Sequence, residues 1–340
     1  MTQPTPPALS RRQLLGLAAA GAALPLAAQP ARAQSPAQVP AQPWPAKPLR
    51  VVVAFPPGGL ADVLMRHLQA PLQEALGQPL LIDNRGGAAG NLAATEVIRN
   101  GGDGHTVLVT VTTTESVNPL LFPRLGFDPQ RDLQHVALLA NTQLFLATRP
   151  TLPPSTVAEL VAYAKARPGQ LSYGSAGSGT TPHLAGELFK QGAGVFATHI
   201  PYRGAAPVIQ DLIAGQVDFG FVPGTVFPAV KAGKLKLLAV ASRQRPPNRP
   251  DAPTLAEAGV PGVYADTLFG VYAPAAMPST HVQRLNQAIN RLLATEPIKA
   301  RFAELGADAV PLSPEAFKAM VAGEVKVFGG IVRARGIQVD

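Results

Sequence analysis

The chain has 340 residues, no cysteine, and 29 basic against 21 acidic residues, which gives a net charge of +8 at pH 7. Without cysteine it forms no disulfide, no thiolate metal site and no lipidated-cysteine anchor, and it has no cysteine nucleophile. Its basic residues are scattered and aromatic residues do not alternate with them, so the composition lacks the dense basic stripe of a nucleic-acid-binding protein.

The first 33 residues have the pattern of an export signal. A twin-arginine pair, Arg11-Arg12, precedes an apolar run, and Ala31-Arg32-Ala33 then has the A-x-A form of a signal-peptidase site. The apolar run is too short and too rich in alanine and glycine to suit a membrane anchor. We therefore predict a twin-arginine signal over residues 1–33 and a periplasmic mature protein with 26 basic against 21 acidic residues, a net charge of +5.

Residues 34–48 are rich in proline, glutamine and alanine and are predicted to be a flexible leader with little to bury. This segment contains Trp44, the only tryptophan of the chain. The roughly 300 residues that follow the signal are enough for two domains.

In the first part of the domain region, short apolar runs alternate with helical patterns. The first apolar run has the composition of a buried parallel strand. The helix after it carries leucines at i+4 spacing and stops at Gly77. The predicted strands are Leu49–Phe55, Leu80–Asp83 and His105–Val111, and a second helix is predicted over Asn91–Arg99.

The same alternation resumes after Pro150. Thr156 and Glu159 form a capping box that opens a helix, and Pro182 has the place of a first-turn proline behind a cap at Thr180 or Thr181. Further predicted elements are strands Leu171–Tyr173, Val217–Val222 and Lys236–Ala241, a helix over Ala205–Ala214 and a last clear helix through Val282, Leu285, Ile289 and Leu292.

Strands that alternate with helices through short links indicate an α/β protein with two mostly parallel sheets. Each half of the chain has a strand, a glycine-rich turn and a helix start, which favours two lobes that present these turns to a shared cleft. We predict lobe 1 from residues 49–142 and 268–340 and lobe 2 from residues 143–267. The crossover segments are predicted near Asn141–Ala147 and Ala265–Gly270, and the C-terminal helices should return to lobe 1.

The glycine turns do not match nucleotide-binding motifs. Neither turn is followed by the Gly-Lys-Ser/Thr of a P-loop, and neither has the Gly-x-Gly-x-x-Gly spacing of a dinucleotide fold. Ser175 and Ser178 lack the glycine two residues earlier that a Gly-x-Ser-x-Gly nucleophile elbow requires, and the six histidines show no metal-ligand spacing. His183 either lines the cleft or caps its helix. No catalytic group, metal or cofactor is predicted.

Two helix N-termini remain, at Gly58–Asp62 and Ser178–Pro182. Free backbone N–H groups and the positive end of the helix dipole hold carboxylates without an arginine. Asp62 itself complements the dipole of its own helix. Binding without catalysis is therefore favoured, and the alternative is an exported enzyme that acts on a carboxylate or ester through Ser178 or His183.

Nine segments, in order, resemble one family: FPPGGLADVLMR, IDNRGGAAGNLAA, GDGHTVLV, FDPQRDL, AYAKARPGQLSYGSAG, HIPYRGAAPVIQDLIAGQVD, VKAGKLKLLAV, PTLAEAGVPG and YAPAAMP. From about Pro48 onward the chain resembles the Bug-type extracytoplasmic solute receptors, the binding components of tripartite tricarboxylate transporters. The resemblance implies a monomeric periplasmic type II flytrap that closes on a small organic acid and delivers it to membrane permease subunits.

The resemblance also implies a set of ligand-binding residues. Arg203 either pairs with a second carboxylate or is a surface charge. Val222-Pro223 and Leu268-Phe269-Gly270 depart from the family pattern and make the outer pocket more apolar, which favours an aromatic or aliphatic carboxylate over an amino acid. The implied residues are Phe55, Pro57, Gly58, Gly59, Asp62, Thr113, Thr114, Ser175, Ala176, Gly177, Ser178, Gly179, Thr180, Tyr202, Arg203 and Gly204.

Overall fold

The computed structural model of the chain describes residues 44–246 and 249–335. All of them belong to one compact unit. The predicted signal over residues 1–33 and the leader up to residue 43 lie outside the described residues.

The first sheet has six strands in the order β11-β4-β10-β3-β1-β2. β1, β2, β3 and β4 share one direction, and β10 and β11 run against them. Four of the six strands are thus mutually parallel, whereas the three pairings made by β10 and β11 are antiparallel. The bounds are β1 Leu49–Val53, β2 Leu80–Asn84, β3 Thr106–Val111, β4 Leu133–Thr142, β10 Thr267–Pro274 and β11 Ala307–Ala309.

The second sheet has five strands in the order β7-β6-β8-β5-β9, and only β5 runs against the others among the described strands. β5 lies between β8 and β9 just as β10 lies between β3 and β4 of the first sheet. In each sheet this reversed interior strand directly follows a crossover from the other sheet. The bounds are β5 Phe145–Thr148, β6 Ser172–Ser175, β7 Thr198–Pro201, β8 Phe219–Val222 and β9 Lys236–Val240.

Twelve α-helices lie in the part of the chain that the structure describes. None of these described helices is long and apolar enough to cross a membrane. Their bounds are α1 Leu60–Leu76, α2 Asn91–Asn100, α3 Thr113–Ser116, α4 Asn118–Leu121, α5 Pro129–Asp132, α6 Val157–Lys165, α7 Thr181–Ala193, α8 Ala205–Ala214, α9 Phe227–Lys231, α10 Ser279–Leu293, α11 Glu296–Glu304 and α12 Pro314–Arg335.

The chain changes sheets twice, and the two passages lie side by side. It leaves the first sheet after Thr142 and returns at Thr267, and the Thr142 hydroxyl donates to the Thr267 carbonyl at 3.1 Å. The Ala241 amide donates to the Leu144 carbonyl at 2.8 Å. Two adjacent extended crossings therefore connect the two sheets.

Each sheet has its own apolar core. α10, α11 and α12 pack on the first sheet, as predicted for the C-terminal helices. The far end of α12 goes further, because Phe328 and Val332 also pack against Leu184 of α7, which flanks the second sheet. The last helix therefore contacts both halves of the molecule.

The predicted leader is wrong at its C-terminal end, because Trp44 is buried. Its indole N–H donates to the Gly104 carbonyl at 2.8 Å, and its ring stacks on His281 with centroids 4.7 Å apart. Lys47 pairs with Asp103 at 2.7 Å. The proline-rich composition of the segment gave no indication that one aromatic side chain anchors it to the half of the molecule that contains the first sheet.

Replacing Trp44 by alanine should lower the free energy of unfolding by roughly 3 kcal/mol, because it removes a buried indole, its stacking partner and a hydrogen bond. Urea unfolding followed by circular dichroism measures the change. Trp44 lines neither cavity described below, so ligand should leave its fluorescence in the wild-type chain nearly unchanged. A loss of less than about 1 kcal/mol would contradict the assigned packing.

Candidate functional site

Three helices begin at one cavity between the two sheets. α1, α7 and α8 contribute first-turn residues Leu60, Thr181 and Ala205 to its wall. Among the described residues no side chain caps any of these three N-termini. Each therefore presents unpaired backbone N–H groups and a partial positive charge of about half a unit. An anion in this cavity would be favoured by all three.

The walls of this apolar cavity carry no charged side chain among the described residues. It encloses about 440 Å³, including its open mouth. Its polar side chains are threonines, and the Thr267 hydroxyl is buried without a hydrogen-bond partner among the described residues. An unsatisfied buried hydroxyl costs about 1–3 kcal/mol, so a ligand atom that bonded the Thr267 hydroxyl would remove this cost. The lining is Phe55, Gly59, Leu60, Ala61, Val111, Thr142, Leu144, Ala176, Thr180, Thr181, Pro182, Ala205, Pro223, Thr267 and Phe269.

A second, adjoining cavity of about 660 Å³ shares Phe55 and Ala176 with the first. One side is the 87–90 loop, in which four consecutive residues have positive φ. Ala88 and Ala89 hold φ angles of 46° and 51°, a conformation that costs a non-glycine residue about 1–2 kcal/mol. Strain of this kind is kept where a loop has to present its backbone in a fixed way.

Thr114 and Asn118 hold this strained loop in place. Both donate to the Ala89 carbonyl, at 3.3 and 3.1 Å, and Thr114 also bonds Thr110 at 2.8 Å. Thr113, in contrast, has a buried hydroxyl with no partner among the described residues, and it lines neither cavity. Thr114 therefore acts on the adjoining cavity through the loop.

Asp62 is buried behind the turn that leads into α1. Its carboxylate accepts from the Gly58 amide at 3.0 Å, from Arg66 at 2.9 Å and from Asn84 at 3.1 Å. These hydrogen bonds outweigh burial and hold the pKa of Asp62 below its usual value. With three donors in place, the carboxylate fixes the turn and leaves Gly59, Leu60 and Ala61 to face the apolar cavity.

Ser175 is likewise occupied by the protein. Its hydroxyl accepts from the Gly177 amide at 3.2 Å and bonds His199 at 2.7 Å. Thr180 occupies the N-cap position of α7, but its hydroxyl donates back to the Gly177 carbonyl at 2.7 Å and leaves the helix uncapped.

The third predicted turn, Tyr202-Arg203-Gly204, leads into α8. The Tyr202 hydroxyl donates to Asp211 at 2.7 Å, and burial together with this hydrogen bond raises the pKa of Tyr202 to about 12. Arg203 is exposed and lines the adjoining cavity. Gly204 has a φ of 140°, and a Cβ there would lie 2.8 Å from Pro56 of the opposite half, so the two halves are in contact at this point.

The predicted residues thus separate into three groups. Gly179 and Thr113 are buried near the site without lining either cavity, Pro57 is exposed, and Gly58 lines a separate groove with Gly224 and Leu305. Asp62, Thr114, Ser175 and Gly204 lie behind or beside the lining. The lining residues are Phe55, Gly59, Ala176 and Thr180 at the apolar cavity, and Phe55, Ala176, Gly177, Ser178, Tyr202 and Arg203 at the adjoining one.

Comparison with known proteins gives the fold and the site a family context. Residues 64–337 match the family model described as tripartite tricarboxylate transporter family receptor. The chain belongs to this family. Its members are substrate-binding receptors and not enzymes.

Individual relatives cover most of the chain. It is 34% identical to BugT of Bordetella pertussis over 303 residues, which is 88% of this chain and 93% of that protein. Among solved structures it is similar to R. palustris Rpa4515 with adipate, at 35% identity and a TM-score of 0.85, and to MatC from Rhodopseudomonas palustris with bound malate, at 33% identity and a TM-score of 0.80. The matches cover 87% and 85% of this chain and the whole of each of those chains.

Sequence reasoning missed several residues that the structure brings to the apolar cavity. Thr142 and Thr267 come from the two crossings, Val111 from the centre of the first sheet, and Ala205 from the start of α8. The glycines around Ala88 and Ala89 were a signal for an unusual loop, because glycine is the common residue at positive φ. The unpaired hydroxyl of Thr267 left no signal in the sequence.

Proposed function

We propose that this chain is a periplasmic receptor that binds a small carboxylate between its two lobes and delivers it to the membrane permease of a tripartite tricarboxylate transporter. The observation that carries the proposal is the convergence of three uncapped helix N-termini on a cavity whose described walls have no charged side chain. The Thr267 hydroxyl, which lines this cavity without a partner among the described residues, supports the proposal. Similar solved structures with adipate and with bound malate also support it. The twin-arginine signal supports the periplasmic location.

We assign lobe 1 to residues 49–142 and 268–340 and lobe 2 to residues 143–267, with the paired crossings as the hinge. Ligand contacts to both lobes favour the closed form over the open one. Gly59, Leu60 and Ala61 supply donors from lobe 1, and Ala176, Thr181 and Ala205 supply the facing surface from lobe 2. The predicted residues behind the lining fix these backbone donors in place.

The ligand is an acid with an apolar body. Phe55, Leu144 and Phe269 form the apolar walls, and no acidic side chain lines either cavity within the described residues to receive an ammonium group. Arg203 is the cationic side chain of the adjoining cavity, so a second carboxylate would lie there.

Calorimetry with three matched six-carbon acids tests this proposal. Hexanoate and adipate should bind, whereas 2-aminoadipate should bind about tenfold more weakly or worse, because its ammonium group loses hydration without gaining a partner. Delivery is tested by uptake of the bound acid into vesicles that contain the permease, with and without the receptor. Failure of every carboxylate to bind, or tighter binding of 2-aminoadipate than of adipate, would refute the assignment.

Thr267→Val tests the site at one atom. It removes the unpaired hydroxyl at nearly constant volume and should weaken carboxylate binding by about tenfold. The matched control is Thr148→Val, because the Thr148 hydroxyl in β5 is also buried and unpartnered among the described residues but lines neither cavity. Equal effects of the two variants would show that Thr267 does not contact the ligand.

A further inference from the structure

The turn from Ser175 to Thr180 uses alternate backbone amides for two purposes. The Gly177 amide donates to Ser175 Oγ at 3.2 Å, and the Gly179 amide donates to His183 Nδ1 at 3.1 Å. The amides of Ala176 and Ser178 have no hydrogen-bond partner among the described residues, and both residues line the adjoining cavity. Two side chains therefore hold every second amide of the turn.

The two side chains are joined through a pair of stacked imidazoles. His183 and His199 lie with ring centroids 4.1 Å apart and planes at 16°. His199 Nε2 is 2.7 Å from Ser175 Oγ, and the His199 ring also stacks on Tyr173 with centroids 4.8 Å apart. One histidine thus holds the Gly179 amide directly and the other holds the Gly177 amide through Ser175.

This bonding pattern fixes the tautomer of His183 and is satisfied by the opposite tautomer at His199. His183 Nδ1 accepts from the Gly179 amide, so its proton lies on Nε2. The Ser175 hydroxyl accepts from the Gly177 amide, and in the arrangement where it gives its own proton to His199 Nε2, His199 carries its proton on Nδ1. A positive charge on His183 would also lie in the first turn of α7, where the helix dipole opposes cations.

The groups around the pair are Glu187, Lys190 and Tyr173. Glu187 is held by Lys190 and by the Tyr173 hydroxyl, both at 2.7 Å. The pKa of His199 is lowered to about 3. Burial is the largest cause, and the neighbouring His183 is the next. The Glu187 carboxylate therefore already has two hydrogen-bond donors, Lys190 and Tyr173.

We propose that His183 and His199 are positioning residues of the carboxylate site. As neutral rings of opposite tautomer they fix the Ser175–Thr180 turn, so that the Ala176 and Ser178 amides stay available to the ligand. This inference rests on the proposed function for the identity of the ligand. It gives these histidines a role that involves neither metal binding nor catalysis.

Spectra of the full mature chain with 15N-labelled histidine, recorded without ligand at pH 7, test the bonding pattern. The long-range couplings should show the Nε2–H tautomer for His183 and the Nδ1–H tautomer for His199. A protonated ring at either position, or the reverse tautomer at His183, would overturn the proposal whether or not any acid binds.

Binding of hexanoate and adipate to variants at pH 7 tests the effect on the site. His183→Asn places an amide oxygen where Nδ1 lies and should keep affinity within about threefold, whereas His183→Leu should lose about tenfold. His67→Leu, on α1 and away from both cavities, is the control for the same change of side chain and should bind as the wild type does. Thermal unfolding separates a loss of folding from a loss of binding.

The outcomes distinguish the two proposals. If the wild-type chain binds neither acid, the proposed function fails while the spectra still decide the bonding pattern. If the wild-type chain binds and His183→Leu binds equally well, the positioning role is wrong and the receptor function stands. Failure of His183→Asn to restore the affinity lost in His183→Leu would also contradict the role of the Nδ1 acceptor.

Discussion

Gly224→Ala is expected to weaken carboxylate binding about 5- to 150-fold without unfolding either lobe. Gly224 follows β8 in lobe 2, and a Cβ built on it would lie 2.0 Å from the carbonyl oxygen of Leu305 in lobe 1. That oxygen belongs to backbone and cannot move aside as a side chain can, so the lobes have to separate. A ligand that binds only the closed form then has a lower apparent affinity, because the closed form is less populated in the variant.

Calorimetry and small-angle X-ray scattering measure the two parts of this effect. Ligand should reduce the radius of gyration of the wild-type protein and change that of Gly224→Ala much less. Gly323→Ala in α12 is the matched control, because a Cβ there meets no atom within 4 Å. Unchanged affinity in Gly224→Ala would show that Gly224 and Leu305 remain in contact in the open form as well, and that closure does not depend on this approach.

The fold was predictable because its strands and turns are local patterns. The β-branched run of β1, the glycines after it and the leucines of α1 fix one strand, turn and helix within 28 residues, and the same order recurs at β6 and α7. The capping box at Thr156 is present, with the Glu159 amide donating to the Thr156 hydroxyl at 3.2 Å. Periodicity and caps report on neighbours along the chain, so they indicate elements well.

The site was predictable only in its two glycine turns. Thr142 and Thr267 are 125 residues apart and meet because the chain crosses twice between the sheets. No local pattern reports such a meeting. The same holds for Trp44, whose partners Gly104 and His281 lie far along the chain.

The polar residues taken from the resemblance have a common use that the sequence did not reveal. Asp62 holds the Gly58 amide, Ser175 holds the Gly177 amide, and Thr114 holds the Ala89 carbonyl. In each case a side chain fixes the backbone of a loop beside the ligand cavities. A receptor that grips its ligand by backbone groups needs such supports, since free loops would lose entropy on binding.

The second large effect is expected in stability at alkaline pH. Glu324 of α12 is partly buried against α3, where its carboxylate is 3.5 Å from the Ser116 hydroxyl. The pKa of Glu324 is raised to about 7. Burial is the main cause, and the nearby Glu115 carboxylate also raises it. Glu115 is already paired with His135 at 2.8 Å. Glu324 therefore lies beside a second carboxylate with no cation of its own among the described ion pairs.

The sign of the effect follows from the raised pKa. Between about pH 4.5 and pH 7 the folded state holds a proton on Glu324 that the unfolded state has released, so stability falls as pH rises through this range and the loss is complete above it. Glu324→Gln keeps the hydrogen-bond acceptor and removes the charge. It should raise the free energy of unfolding by roughly 1–3 kcal/mol at pH 8 and change it little at pH 5.

Urea unfolding of the wild type and of Glu324→Gln at pH 5 and pH 8 measures this difference directly. Glu315→Gln provides the same substitution at an exposed position in the first turn of α12 and should change stability by less than about 0.5 kcal/mol at both pH values. Because Glu324 lines neither cavity, we expect the stabilised variant to retain carboxylate binding. A loss of stability at pH 8 in Glu324→Gln would mean that the ionised carboxylate has a stabilising partner in the folded protein.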